Sequence, residues 1–492
     1  MGKFNVVQVA SEITPMAKTG GLADVVGTLG RELDKGGNRV WFFMPYYREV
    51  RQHSGIAVET VLKSLPVHLS PGMREEVAVL RGQMPGSKAV AYFIDHPRSF
   101  DRDHLYGTPD GDYVDNADRF TLFSRAVVHA LKELKEPVDV VHCHDWQTAL
   151  IPAYIKHLYA GDPLFDRTAV VYTIHNLAYQ GIFSKDIMAR TGLGWSFFTP
   201  DKLEFYGKVS FMKSGILYAD RVTTVSPTYA KEILTPEHGF GLDGLLKTRS
   251  SDLSGVLNGI DTGEWDPAKD PHIATAYSRK ATTGKEACRD ALLTEMGYPA
   301  QKQPRPMVIG AVSRLAEQKG YDIVAEAIPR LAKKPVFIVI LGYGDRHIQE
   351  SLEAAARKHP DKVAVRMKFD NAMAHRVFAA SDLFLMPSRF EPCGLGQMIA
   401  LRYGSLPVAR ATGGLIDSIT QVDSKKKSGT GFFFKAGTAD ALVKAVEEAL
   451  VAHDDEALWK KVVAEAMGED FSWETSAKKY ESIYQAAKDR KK

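Results

Sequence analysis

The sequence predicts an α/β protein of two doubly wound domains, each a parallel sheet covered by helices on both faces. Three observations carry that expectation. Short runs rich in Val, Ile and Phe alternate with helical patterns along nearly the whole chain, the pattern of successive βαβ units. One short motif occurs once in each half, as Lys18-Thr19-Gly20-Gly21-Leu22-Ala23-Asp24 and as Thr412-Gly413-Gly414-Leu415-Ile416-Asp417. Polar clusters stand just after strand-like runs, where open parallel sheets bind their ligands.

Taken in order, residues 4–10, 39–44, 139–143, 168–174 and 221–225 read as buried strands of the first half. Helical spacing fills 21–35, 117–134, 147–159 and 206–218 between them. The second half repeats the scheme, with strands at 307–312, 336–341, 363–367, 382–386 and 406–408. Its helices are expected at 323–331, 346–358, 373–380 and 394–403. The stretch 258–306 is richer in Pro, Gly, Asp and Lys, so the crossover between domains is placed just before it. The expected domains are residues 1–252 and 253–469, facing each other across a deep cleft, with the amphipathic segment 470–492 packing back on the first.

A chain of 492 residues has room for two or three domains of ordinary size. With 25% charged and 45% hydrophobic residues it has the balance of a soluble globular protein. A net charge of +3 gives no reason to expect nucleic acid or an anionic membrane as partner. Only Cys143, Cys288 and Cys393 occur, an odd and scattered set that argues against a disulfide framework and for a reducing compartment. No signal-peptide pattern opens the chain, and no apolar run approaches the roughly 20 residues of a membrane span. A cytoplasmic protein is expected.

The glycines at 20 and 21 let backbone approach a ligand, and the helix they open offers free N–H groups to an anion, with Lys18 beside them. Arg314 and Lys319 lie in a loop between a strand and a helix. Together they can grip a diphosphate, or they can form a solvated loop paired with Glu317. Glu391 can hydrogen-bond sugar hydroxyls or steady positive charge at a reacting carbon; it can equally be an ordinary acid near a helix N-terminus. His175 can bond a sugar ring or serve structure alone. Tyr92 and Trp146 can stack on sugars or fill core.

Other chemistries fail on spacing. His142-Cys143-His144-Asp145 lacks a spaced metal-ligand partner, and alternation along a strand sends neighbours to opposite faces. Asp101-Arg102-Asp103 and Asp110-Gly111-Asp112 read as surface turns rather than metal-binding Asp-x-Asp motifs. Gly342-Tyr343-Gly344 has no third glycine, and Met44-Pro45-Tyr46-Tyr47 offers no ribose-binding acid, which argues against a dehydrogenase. No metal or other cofactor is expected.

Lys18-Thr-Gly-Gly-Leu-Ala-Asp-Val, His144-Asp-Trp-Gln, Thr173-Ile-His-Asn, Val256-Leu-Asn-Gly-Ile-Asp, Ser313-Arg-Leu, Gln318-Lys-Gly and Pro387-Ser-Arg-Phe-Glu-Pro-Cys-Gly-Leu together resemble the bacterial glycogen synthase and plant starch synthase family. The resemblance runs in order from about residue 4 to about residue 485. It implies a retaining glycosyltransferase with two Rossmann-like domains (GT-B), moving glucose from ADP-glucose to the nonreducing end of an α-1,4-glucan such as glycogen. It further implies that Lys18, Arg314 and Lys319 neutralise the diphosphate. Glu391, His175, Asn176, Asn258, Cys393 and Gly394 would surround the donor glucose, with Gly20, Gly21 and Leu395 giving backbone contacts around the phosphates. Asp145, Tyr92 and Trp146 would lie on the acceptor side, and Phe369 takes the place of an aromatic that stacks on adenine. Gly396 departs from the family pattern, which often has a hydroxyl or larger side chain there, so only a backbone contact carries over. A plant relative would work in the plastid stroma, though no transit peptide is visible. Two alternatives stand beside this reading: a related transferase using another nucleotide sugar or a small acceptor, and a silent glucan-binding protein. The joint presence of Lys18, Arg314, Lys319 and Glu391 counts against the second.

Overall fold

A computed structural model of the chain describes residues 3–52, 56–108, 111–299 and 305–491. Asp110 of the second Asp-x-Asp turn, residues 300–304 of the interdomain stretch and the terminal Lys492 lie outside them. Two units divide the chain, Met1–Val256 with Trp473–Lys492, and Leu257–Ser472.

The first unit holds a nine-stranded sheet: β1 (Asn5–Val9), β2 (Arg39–Pro45), β3 (Val58–Ser70), β4 (Met73–Gln83), β5 (Val90–Asp95), β6 (Val140–His144), β7 (Ala169–Ile174), β8 (Arg221–Thr224) and β9 (Leu253–Gly255). Their spatial order is β9-β8-β7-β6-β1-β2-β5-β4-β3. Pairing is parallel from β9 to β5, while β4 runs antiparallel to both β3 and β5. β6 and β7 are buried along their whole length, as strands covered on both faces must be, and their Val-rich starts made them legible as buried strands. The hairpin β3–β4 escaped the sequence reading for the converse reason. It is half exposed and carries Glu59, Lys63, Arg74, Glu75 and Glu76, so it lacks an apolar run.

Two predicted helices are corrected. The segment 147–159 forms a 3₁₀ turn (Trp146–Thr148), a single α-turn (Ile151–Ala153) and a π-helical piece (Tyr154–Leu158). Pro152, which has no N–H to donate, lies in that α-turn. The segment 206–218 becomes helical only at Phe211. Tyr206 and Gly207, at φ +47° and +78°, instead make the turn of a small hairpin between Glu204–Phe205 and Lys208–Ser210.

The unit boundaries also differ from the expected ones. β9 pairs with β8, so the first unit runs past residue 252 to Val256. At the far end, Ile260 bridges to Ser472 and its N–H donates to Phe471 O, which holds residues up to 472 in the second unit. The C-terminal helix Trp473–Lys488 packs on the helix Gly21–Lys35 and on β7. It buries Trp473, Tyr480 and Tyr484, and Lys488 pairs with Asp139.

In the second unit, β10 (Met307–Leu315), β11 (Val336–Gly344), β12 (Val363–Arg366), β13 (Leu383–Met386), β14 (Leu406–Arg410) and β15 (Phe432–Phe434) form an all-parallel sheet. Its order is β12-β11-β10-β13-β14-β15. Each sheet thus grows in two directions from its first parallel strand. The loops diverge between β1 and β6 in one unit and between β10 and β13 in the other, and such switch points are where doubly wound sheets bind ligands. No helix among the described residues is long and apolar enough to cross a membrane.

Tyr480 is fully buried on the C-terminal helix. Tyr480→Ala is expected to cost about 3–5 kcal/mol, read as a lower urea midpoint; an unchanged midpoint would mean that the helix contributes no packing to its unit.

Candidate active site

At the switch point of the first unit, the loop after β1 folds around Glu12. This carboxylate is 4% exposed and accepts the N–H of Thr19 at 2.5 Å, the N–H of Gly20 at 3.1 Å and the hydroxyl of Tyr106 at 2.9 Å. Burial pushes its carboxyl above the usual range, against the pull of those donors. Gly20 therefore spends its N–H on Glu12, a correction to its expected role as a phosphate contact, and Gly21 is the first helical residue beyond it. Lys18 is half exposed, with Nζ 2.8 Å from Asp24 Oδ1.

Across the switch, His144 ends β6 and Asp145 follows with φ +55° and ψ −176°. For a non-glycine residue this backbone costs on the order of 1–3 kcal/mol. The compensation is local: the Asp145 carboxylate accepts the N–H of His175 at 2.7 Å and that of Asn176. Burial pushes its carboxyl up to about 7 and pulls His175 down to about 3, so the imidazole is neutral. His175 Nε2 lies 3.0 Å from His144 Nδ1.

Two aromatic expectations are corrected. Tyr92 is buried in the middle of β5, stacked on Phe43 at 5.0 Å. It lines a cavity with Arg39, Trp41, Arg81 and Val90, at the N-terminal ends of β2 and β5 and away from the strand ends that carry Asp145. Trp146 sits edge-on to Phe120 and Phe183, at 5.0 and 5.4 Å. Gly181 lies against its ring so closely that a Cβ there would stand 2.6 Å from Trp146 Cε3. Its surroundings are those of a packing residue. Asp101 accepts from Arg48 Nε at 2.7 Å, and Asp103 pairs with the same guanidinium, so this Asp-x-Asp is neutralised within the chain.

In the second unit, the loops after β10 and β13 meet. Gly320 has φ +70°, and a Cβ there would stand 2.2 Å from Pro387 O, an approach only glycine permits. This contact brings Lys319 to Glu391: Nζ donates to Oε2 at 2.5 Å, and Ser388 Oγ donates to the same oxygen at 2.9 Å. Glu391 is 4% exposed. Glu317 is therefore not the partner of Lys319. Its carbonyl instead takes a hydrogen bond from Arg389, whose guanidinium also grips Asp322 at 2.8 and 2.6 Å. Arg314 is the penultimate residue of β10 rather than a loop residue; its side chain is exposed and makes no ion pair among the described residues.

The second glycine pair works differently from the first. Gly414 donates its N–H to Glu391 O at 3.0 Å, and a Cβ on it would stand 2.3 Å from Cys393 O. That glycine is needed so that one loop can lie on the other. Gly394 takes φ +73°, and Gln397 Nε2 donates to the carbonyls of Cys393 and Gly394 at 3.0 and 2.8 Å. Cys393 is buried and takes the N–H of Asn258, with its thiol pushed up to about 12, so it is an inert packing group. Asn258 Oδ1 is buried without a hydrogen-bond partner among the described residues. Leu395 caps the helix Gly396–Arg402. A Cβ at Gly396 would meet Phe384 and Met386 at 3.3 and 3.4 Å, a tight fit for any larger side chain. Phe369, between β12 and the helix Asn371–Ala380, is 87% exposed, with its ring open to a planar ligand.

Residues 5–248 match the family model described as starch synthase catalytic domain, and residues 299–462 that of glycosyl transferases group 1. Glycogen synthase of Koribacter versatilis is 46% identical over 485 residues, covering 99% of this chain and 98% of the relative. The chain belongs to the bacterial glycogen synthase family. Glycogen synthase 2 of Geobacter sulfurreducens is likewise 46% identical, over 99% of this chain and all of the relative. Among solved structures, the catalytic domain of Arabidopsis thaliana starch synthase IV bound to ADP and acarbose superposes with a TM-score of 0.91 at 36% identity, covering 99% of this chain and 100% of that one. Sucrose-phosphate synthase of Thermosynechococcus elongatus, at 16% identity and a TM-score of 0.59 over 98% of each chain, shares the fold alone. This glycogen synthase family member is a glycosyltransferase of the GT-B type.

Glu12, Tyr106, His144 and Ser388 are site-building residues that sequence reasoning missed. His144 and Ser388 stand inside motifs quoted above but were given no role, and Glu12 and Tyr106 stand in none; Tyr106 and His144 find their partners far along the chain.

Asp145 gives the site a pH signature. Its folded pKa is raised, so between about 4 and about 7 the folded state holds a proton that the unfolded state releases. The stability it contributes is full below pH 4 and is lost as pH rises through 7. The stability difference between wild type and Asp145→Asn is expected to shrink over that window and to be flat above it, as read by urea unfolding at each pH.

Proposed function

We propose that this enzyme transfers glucose from ADP-glucose to the nonreducing end of an α-1,4-glucan, with retention at the anomeric carbon. The observation that carries the reading is the buried Glu391 held by Lys319 at 2.5 Å, with the exposed Arg314 on the strand that leads into the Lys319 loop. Breaking a glucosyl–phosphate bond leaves negative charge on the nucleotide and positive character on the sugar. Arg314, Lys319 and Lys18 answer the first; Glu391 answers the second. Charges fixed before the reaction need no reorganisation during it. His175, Asn176, Asn258, Cys393 and Gly394 surround the glucose, Gly21, Leu395 and Gly396 give backbone contacts to the phosphates, and Asp145 lies on the acceptor side. Phe369 stacks on the adenine. Preference for the adenine nucleotide is supported by the likeness to starch synthase IV, whose solved structure contains ADP.

The deciding experiment supplies ADP-glucose and UDP-glucose at equal concentration with a glycogen primer. ADP-glucose is expected to turn over faster; the reverse order would assign the same cations to a different nucleotide sugar.

Lys319→Ala is expected to lower kcat roughly a hundred- to thousandfold, since one preorganised donor in such a site is worth about 3–4 kcal/mol. Lys319→Arg should recover part of it, because a planar fork cannot fill the place of a compact ammonium. Glu391→Ala should lose turnover while keeping ADP affinity, measured by calorimetry. Wild-type activity should survive EDTA; abolition with rescue by magnesium would show that the cations do not suffice.

A further inference from the structure

One face of the first sheet is paved with polar groups where a covered parallel sheet normally carries aliphatic ones. His142 and His144 are two residues apart on β6, so they share a face, with ring centroids 4.1 Å apart. On the neighbouring β1, Gln8 is in register with His142. Tyr484 reaches them from the C-terminal helix. Gln8, His142, His144, Thr173 and Tyr484 are all 0% exposed, so each polar atom must be satisfied internally.

They satisfy one another in single file. Gln8 Nε2 donates to Tyr484 Oη at 3.1 Å, and Tyr484 Oη lies 2.8 Å from His142 Nδ1. His142 Nε2 is 2.6 Å from Thr173 Oγ1, which is 2.5 Å from Thr223 Oγ1. In the other direction, Gln8 Oε1 is 2.7 Å from His144 Nε2, and His144 Nδ1 is 3.0 Å from His175 Nε2. We propose that Gln8 and Tyr484 are positioning residues for His175, the file of hydrogen bonds fixing which of its ring nitrogens carries the proton.

The direction follows from donor counting. The Gln8 carbonyl oxygen can only accept, so His144 carries its proton on Nε2 and presents a bare Nδ1. That lone pair takes the N–H of His175 Nε2, which leaves His175 Nδ1 bare. Burial keeps both rings neutral, so each has one proton to place. His175 then meets a ligand as an acceptor, suited to a sugar hydroxyl that donates. Tyr484 extends the file in the same direction: it accepts from the Gln8 amide and gives its single proton to His142. Turning that amide over would reverse every bond in the file and make His175 Nδ1 a donor.

The inference rests on the reading that His175 faces the donor sugar, and the test separates the two. In the full chain labelled with ¹⁵N-histidine, two-bond ¹H–¹⁵N correlations report each tautomer, with His175 assigned by its loss in His175→Gln. The expected form is Nε2–H; an Nδ1–H resonance would overturn the inference. Tyr484→Phe and Gln8→Met should each lower kcat about tenfold with ADP affinity unchanged. The double variant should be no worse than the poorer single, because both break one file. Phe4→Leu removes the edge-on ring packed on Tyr484 at 6.2 Å and no side-chain hydrogen bond, so it should lower Tm and leave kcat alone. Wild-type kcat in Tyr484→Phe and Gln8→Met, with His175→Gln inactive, would sink this inference and spare the function. Full turnover in His175→Gln would remove the reading of His175 itself, and this inference with it.

Discussion

A parallel sheet that grows in two directions from one strand must part its loops where the growth reverses, and this constraint underlies the rest of the structure. In the first unit the parting lies between β1 and β6, so the Gly20-Gly21 loop and the Asp145 turn become neighbours although some 125 residues separate them. In the second it lies between β10 and β13, and Lys319 meets Glu391 across 72 residues. Outside the polar face of the first sheet, the strands are largely aliphatic and answer chiefly to packing. The loops at the parting are not, because each carries a group that only the opposite loop can satisfy.

Those groups are mostly charges held out of water, which is costly unless each finds a partner. Glu12 is met by two backbone N–H groups and a tyrosine, Asp145 by two N–H groups, and Glu391 by a lysine and a serine. The pairing differs with the task. A carboxylate answered by backbone amides fixes the shape of a loop. One answered by a lysine keeps a cation at its side that can also serve a second anion. The glycines support this division. Gly320 and Gly414 allow loop to lie on loop, so the constraint on them is contact between backbones.

What the sequence revealed was what is local. The βα alternation, the buried strands and the cations beside glycine needed no tertiary knowledge, because period and composition carry them. The hairpin β3–β4 was illegible because its exposed face is as polar as a loop. Tyr92 looked like a site residue because a strand end could not be told from a strand middle: β5 extends three residues beyond it to Asp95. The partner of Lys319 was illegible for a different reason. Glu317, two residues away, was the nearer candidate in sequence, and only the closure of Gly320 onto Pro387 brings Glu391 within reach. Gln8 gave no signal at all, and His144, though it stood in a quoted motif, gave no hint of its partners, since an amide or imidazole in a buried strand has meaning only through its neighbour on the next strand.

The C-terminal helix belongs to the first unit, so the sheet that begins at residue 5 is completed by residues 473–488. Ribosomal synthesis runs at about 5–20 residues per second, so the first unit waits roughly ten to forty seconds while the second is being made. Until then its polar face, with Gln8, His142 and His144, stands uncovered by Tyr484. A nascent or prematurely terminated chain can thus hold every loop residue of the first site and still lack the cover over that face. Synthesis of residues 473–488, rather than of the loops at the switch point, is the event that finishes the first unit.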